Sequence, residues 1–201
     1  MVQVKPKILA IVAIAVVLAV GAVYLIGRGG GNPDNAGASS SLSAWAVGEV
    51  ANFRFSTTGP KPLPALSFLD GEGNARSFAD FEGKLVLLNL WATWCGPCRE
   101  EMPALDRLQA ELGSDRFEVV ALSVEREGME LARKFLHEVG VEHLGLFNDP
   151  SGKANFTLKA FGLPTTLLLS PQGEEIGRMV GPAHWDSEDA KKLIEAALAA
   201  Y

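Results

Sequence analysis

Two cysteines occur in the 201-residue chain, three positions apart, in Trp94-Cys95-Gly96-Pro97-Cys98. A thiolate is both a nucleophile and a soft metal ligand, so such a pair exchanges disulfides or holds a metal. The residues on either side weigh on that choice. An apolar run, Leu85–Trp91, precedes the pair, and Met102, Leu105, Leu108 and Leu112 follow it at helical spacing. The cysteines therefore fall where a buried strand turns into the first turn of a helix. Unpaired N–H groups and partial positive charge at such a terminus stabilise a thiolate. Cys95, at the tip, is the expected nucleophile on a disulfide, and Cys98, one turn on, the thiol that resolves the mixed disulfide. Two other readings stay open here. One is an inert local disulfide, which across so short a loop constrains little of the unfolded chain. The other is half a zinc site, which would need ligands from His137, His143 and His184.

The elements that must hold this turn can be read from apolar spacing. Leu66–Leu69 and Ala75–Phe78, around the turn-rich Asp70–Asn74, predict a hairpin. Phe117–Val124 reads as a second central strand and Met129–Val139 as an amphipathic helix closed by Gly140. Leu144–Phe147 is expected as a short strand and Ala154–Phe161 as a helix. Thr165–Ser170 and Glu175–Val180 form an antiparallel pair, and Ser187–Ala200 a last helix with Ser187 as N-cap. Strand, helix, strand, then hairpin and helix gives an α/β fold, a mixed central sheet covered by helices. Pro103 is expected to kink the first helix. Trp91 and Trp185 read as packing residues, and Glu125-Arg126-Glu127 as a solvated loop.

The ends of the chain differ in character. Ile8–Ile26 is a run of 19 uncharged residues, long enough as a helix to span nearly the ~30 Å hydrocarbon core of a bilayer. Lys5 and Lys7 precede it, which puts residues 1–7 in the cytoplasm and the body across the membrane. A cleaved signal peptide is the competing reading, although its apolar stretch is usually shorter. Residues 27–60, rich in Gly, Ser, Asn and Pro, read as a flexible tether with a short helix at Leu42–Asn52; the domain then runs over 61–201. Residues 1–31 carry three basic side chains and no acid, leaving a net charge of −9 on the remainder. An acidic body is a poor match for nucleic acid, whose affinity comes from clustered Lys and Arg.

The stretch Trp91-Ala92-Thr93-Trp94-Cys95-Gly96-Pro97-Cys98-Arg99-Glu100-Glu101-Met102-Pro103 resembles the active-site helix of the membrane-anchored, thioredoxin-like TlpA family. The resemblance runs from about Leu63 to Leu193 and includes Ala104-Leu105-Asp106, Phe147-Asn148-Asp149, Gly162-Leu163-Pro164-Thr165 and Gly181-Pro182. It implies a thioredoxin-like fold with an N-terminal β-hairpin extension and a central insertion. It implies a thiol:disulfide oxidoreductase of the bacterial inner membrane with its catalytic domain in the periplasm. The redox group would be the Cys95–Cys98 disulfide, with no metal or other cofactor, reduced by a membrane reductant of the DsbD/CcdA type. Implied substrates are cysteine pairs of copper-delivery proteins and of the copper subunit of cytochrome oxidase, or apocytochrome c. Pro164 is expected in cis, facing the dithiol, with Leu163 offering its backbone to a substrate; Trp94, Gly96 and Pro97 complete the substrate face.

Two positions depart from related patterns: Gly96, where TlpA members often carry Val or another residue, and Asn89. Asn89 stands where thioredoxins place a buried acid, and Asn cannot take up a proton. Glu101, three residues past Cys98, is expected either as the substitute proton acceptor or as a solvated helix carboxylate. Gly-Pro between the cysteines resembles the thioredoxin pair, at about −270 mV, rather than strong periplasmic oxidants at about −120 mV. That gap is roughly 7 kcal/mol for two electrons, enough to set the direction of transfer, and a reducing potential is expected here. A Cu(I) metallochaperone is the reading from another class, since soft thiolates suit Cu(I). A peroxidase would use a Thr just before its reactive cysteine, a place Thr93 fills without the rest of such a site.

Overall fold

The structure, a computed structural model, describes residues 41–201. The apolar segment Ile8–Ile26, residues 1–7 and the first part of the tether lie outside the described residues. Among the described residues no helix is long and apolar enough to cross a membrane.

The centre of the fold is a parallel pair, β5 (Leu85–Trp91) and β6 (Phe117–Ser123), in register from Leu85 opposite Phe117 to Trp91 opposite Ser123. Every residue of β5 is buried, as its unbroken apolar run requires of a strand covered on both faces. Leu85, Leu87 and Trp91 point to one core cluster, and Val86, Leu88 and Leu90 to the other. The first cluster receives α1 (Gly96–Leu112), α2 (Met129–Glu138) and α4 (Glu188–Ala200) through Met102, Leu105, Phe135, Leu193 and Ile194. The second is built on Phe68, Phe81 and Phe147, with the four-residue α3 (Ala154–Thr157) beside them.

Antiparallel strands extend the pair on one side: β8 (Thr165–Leu169) lies against β5, and β9 (Glu174–Val180) against β8. On the other side β7 (Phe147–Asn148) is parallel to β6, and the hairpin of β3 (Ser67–Asp70) and β4 (Ala75–Ser77) closes the edge. The mixed sheet with helices on its faces agrees with the fold expected from sequence. Shorter elements differ in extent. The strand expected at Leu144–Phe147 is β7, and the helix expected at Ala154–Phe161 stops after one turn, leaving Phe156 and Phe161 exposed. Gly140 ends α2 with φ +71°, a backbone conformation that costs glycine least.

The folded domain begins well before Lys61. Leu42, Val50 and Phe53 are buried in the first core cluster, and β1 (Arg54–Phe55) and β2 (Lys61–Pro62) both pair with β9. In place of a helix, Leu42–Asn52 holds two 3₁₀ turns, Ser43–Trp45 and Gly48–Val50. Anchors this widely spaced produce no periodicity, so only the tertiary surface they fill reveals them. Val50→Ala should cost about 2 kcal/mol by urea unfolding, whereas half-exposed Trp45→Ala should stay within ~0.5 kcal/mol. An unchanged midpoint for Val50→Ala would mean that this segment does not belong to the cooperative unit.

Candidate active site

Cys95 is the N-cap of α1, with its sulfur accepting the Cys98 N–H at 3.3 Å. The two cysteines are joined as a disulfide, their Cα atoms 5.3 Å apart. Pro97 occupies the first turn of the helix, where a missing N–H costs nothing. Cys95 keeps 7% of its surface and Cys98 none, so the covered sulfur is the one turned toward the sheet. Beside them Trp94 is 68% exposed, while Trp91, three residues earlier, is fully buried.

One helical turn beyond Cys98, on the same face of α1, lies Glu101. It is 3% exposed, which overturns the solvated-carboxylate reading. Its carboxylate accepts three hydrogen bonds: from Asn89 Nδ2 at 2.7 Å, Trp185 Nε1 at 3.1 Å and the Ala183 N–H at 3.2 Å. Burial pushes its pKa up from 4.5 to about 7, with the three donors pulling the other way. A carboxyl group that titrates there can take up or release a proton at physiological pH. A crevice of about 210 Å³, lined by Glu49, Glu100, Glu101, Pro182, Ala183 and His184, connects it to solvent. Asn89, fully buried on β5, also donates to Thr166 Oγ1 at 3.0 Å, while its own Oδ1 has no partner among the described residues.

The Leu163–Pro164 peptide bond is cis. The register pairs Leu90 with Thr165, so Pro164 stands at the end of the sheet from which residues 92–95 leave β5. The Pro164 carbonyl accepts from Gly181, whose φ of +101° suits glycine. A Cβ on Gly162 would lie 3.3 Å from Val180, so the loop before the proline runs close to the end of β9. Exposed Phe161 and Val180 thus adjoin the cis peptide, and exposed Trp94 adjoins the disulfide.

Residues 60–174 match the model of the AhpC/TSA family. This chain belongs to that family. It is 34% identical over 105 residues to the thiol:disulfide interchange protein CycY of Rhizobium leguminosarum bv. viciae, covering 52% of this chain and 54% of the relative. It is 30% identical over 135 residues to the thiol-disulfide oxidoreductase ResA of Bacillus thuringiensis subsp. konkukian, covering 67% and 73%. A solved structure from Chlorobium tepidum, assigned as thiol:disulfide interchange protein DsbE, superposes with a TM-score of 0.62 at 31% identity, covering 69% of this chain and 96% of that one. The chain spans about half the length of some relatives, 54% of CycY and 49% of a ResA from Oceanobacillus iheyensis. The TlpA/ResA-like resemblance read from Trp91–Pro103 is borne out.

In this AhpC/TSA-family chain the sequence missed two site residues. Glu125, expected in a solvated loop, is 3% exposed and accepts the Thr93 hydroxyl at 2.6 Å. Trp185, expected only to pack, also donates to Glu101. No local signal announces either bond, since the partners are 32 and 84 residues apart. The position of Glu125 at the C-terminal end of a central parallel strand, where α/β ligand sites gather, was the available hint.

Proposed function

We propose that this chain is a dithiol reductant of cysteine pairs in metal-receiving proteins, held at the outer face of a bacterial inner membrane by Ile8–Ile26. The observation that carries the redox reading is the Cys95–Cys98 pair at the N-terminus of α1, with Cys95 as N-cap and buried Glu101 one turn beyond Cys98. In the reduced protein, the Cys95 thiolate attacks a substrate disulfide; one S–S bond forms, one breaks, and a substrate thiolate leaves. Cys98 passes its proton to Glu101 and attacks the Cys95 sulfur. The second substrate thiolate departs, and two electrons have moved from the chain to the substrate. Leu163 offers main-chain groups to an extended segment, in the manner of an added strand, with Trp94 as the apolar contact beside the attacked sulfur. A membrane reductant of the DsbD/CcdA type would restore the dithiol.

Cys98→Ser in the full chain should leave substrates attached to Cys95 as mixed disulfides recoverable from membranes. Adducts with copper-delivery proteins or the copper subunit of cytochrome oxidase support the proposal. Adducts confined to cytochrome c precursors would replace it with apocytochrome c reduction. Tight Cu(I) binding by the reduced body against a competing chelator, without disulfide exchange, would make it a metallochaperone.

A further inference from the structure

The residue two before the nucleophile is held from both sides. Thr93 donates its hydroxyl to Glu125, which follows β6, and its carbonyl accepts from Arg99 Nη1 in α1 at 3.3 Å. Arg99 in turn lies over the Phe135 ring of α2, 4.5 Å from its centroid, and Phe135 packs on Trp91 at 5.5 Å between centroids. Main-chain bonds reinforce the frame: Val124 N–H reaches Trp91 O at 2.9 Å, and Cys95 N–H reaches Ala92 O at 3.1 Å. The Thr93 hydroxyl is thus tied to the segment that follows β6. Glu125 is buried, and a buried carboxyl group is costly unless it is hydrogen-bonded, so the Thr93 hydroxyl and Glu125 satisfy each other.

We propose that Glu125 and Thr93 are positioning residues for the redox turn: they fix the Thr93-Trp94-Cys95 segment so that the Cys95 sulfur lies under the N–H groups of α1. The idea rests on the dithiol reading above. A sulfur held there accepts the Cys98 N–H, the bond that favours the thiolate. Releasing Thr93 lets the turn drift and weakens that bond. The thiolate becomes less stable, and the couple more reducing, since a stabilised thiolate is what makes such a couple oxidising. The charged groups around the turn are Arg99 and Glu101 from α1, Glu125 after β6, and Lys134 and Glu138 from α2, which line the cleft of about 190 Å³ beside Trp94 together with Arg99.

The test uses the full chain with four variants: Thr93→Val, Thr93→Ser, Glu125→Ala and the double variant of Glu125→Ala with Thr93→Val. The readouts are the pH profile of Cys95 alkylation by iodoacetamide and the equilibrium with a glutathione couple. Thr93→Val keeps the side-chain shape without the donor, so the thiolate fraction at pH 7 should fall about fivefold and the potential become more negative. Thr93→Ser should restore both. Glu125→Ala and the double variant with Thr93→Val should match each other, because both have lost the same bond. A wild-type alkylation profile for Thr93→Val, or losses that multiply in the double variant, overturns the positioning role while leaving the redox reading in place. A wild-type chain that does not equilibrate with the glutathione couple overturns both.

Discussion

Replacing Cys95 with serine is expected to abolish disulfide exchange, lowering the rate at least ~10³-fold. A serine hydroxyl does not ionise near neutral pH, even at a helix N-terminus, and cannot form the mixed disulfide on which both transfers depend. Cys98→Ser removes only the second transfer. Its single thiol should react with a disulfide once and stop, leaving a stable adduct. The asymmetry follows from the fold: Cys95 caps α1 and keeps some exposure, while Cys98 has none. Insulin disulfide reduction and mass spectrometry of the adducts measure the two outcomes. Comparable adduct formation on Cys98 in the Cys95→Ser chain would reverse the assigned roles.

Glu101→Gln should remove a pH-dependent component of stability worth about 3 kcal/mol. The carboxyl group has its pKa raised in the folded state from 4.5 to about 7. Between those values the unfolded chain has lost the proton and the folded chain still holds it, so stability falls as pH rises. The contribution is complete below about pH 4.5 and gone above about pH 7. In the variant this slope disappears, and the same substitution should erase the limb near pH 7 in the rate of the resolving step. The site can house the neutral amide. Its oxygen accepts from Trp185 Nε1 and the Ala183 N–H, and its N–H₂ finds the unpartnered Oδ1 of Asn89 once that side chain turns over. Urea unfolding of both proteins from pH 4.5 to 8 gives the difference, and parallel curves would contradict the burial of an ionisable group here.

The legible parts of this protein were those with local causes. Leu85–Trp91 reads as a doubly covered strand because its apolar run is unbroken. The Asp70–Asn74 turn fixes the β3–β4 hairpin, and Ser187 accepts the Ala190 N–H as an N-cap should. Less was visible where one residue does the work of an element. Val50 and Phe53 sit among glycine and polar neighbours, and their burial depends on a groove built by distant helices.

By itself the sequence determined where the reactive sulfurs lie, in what order, and on which kind of turn. Spacing and helix polarity are properties of a few consecutive residues. The tertiary structure alone decided which acids attend them. Glu101 meets Asn89 on β5 and Ala183 and Trp185 in the loop before α4, two other parts of the chain, and Thr93 meets Glu125 across two strands. Burial of a charge is set by everything packed around it, and no stretch of neighbouring residues encodes that.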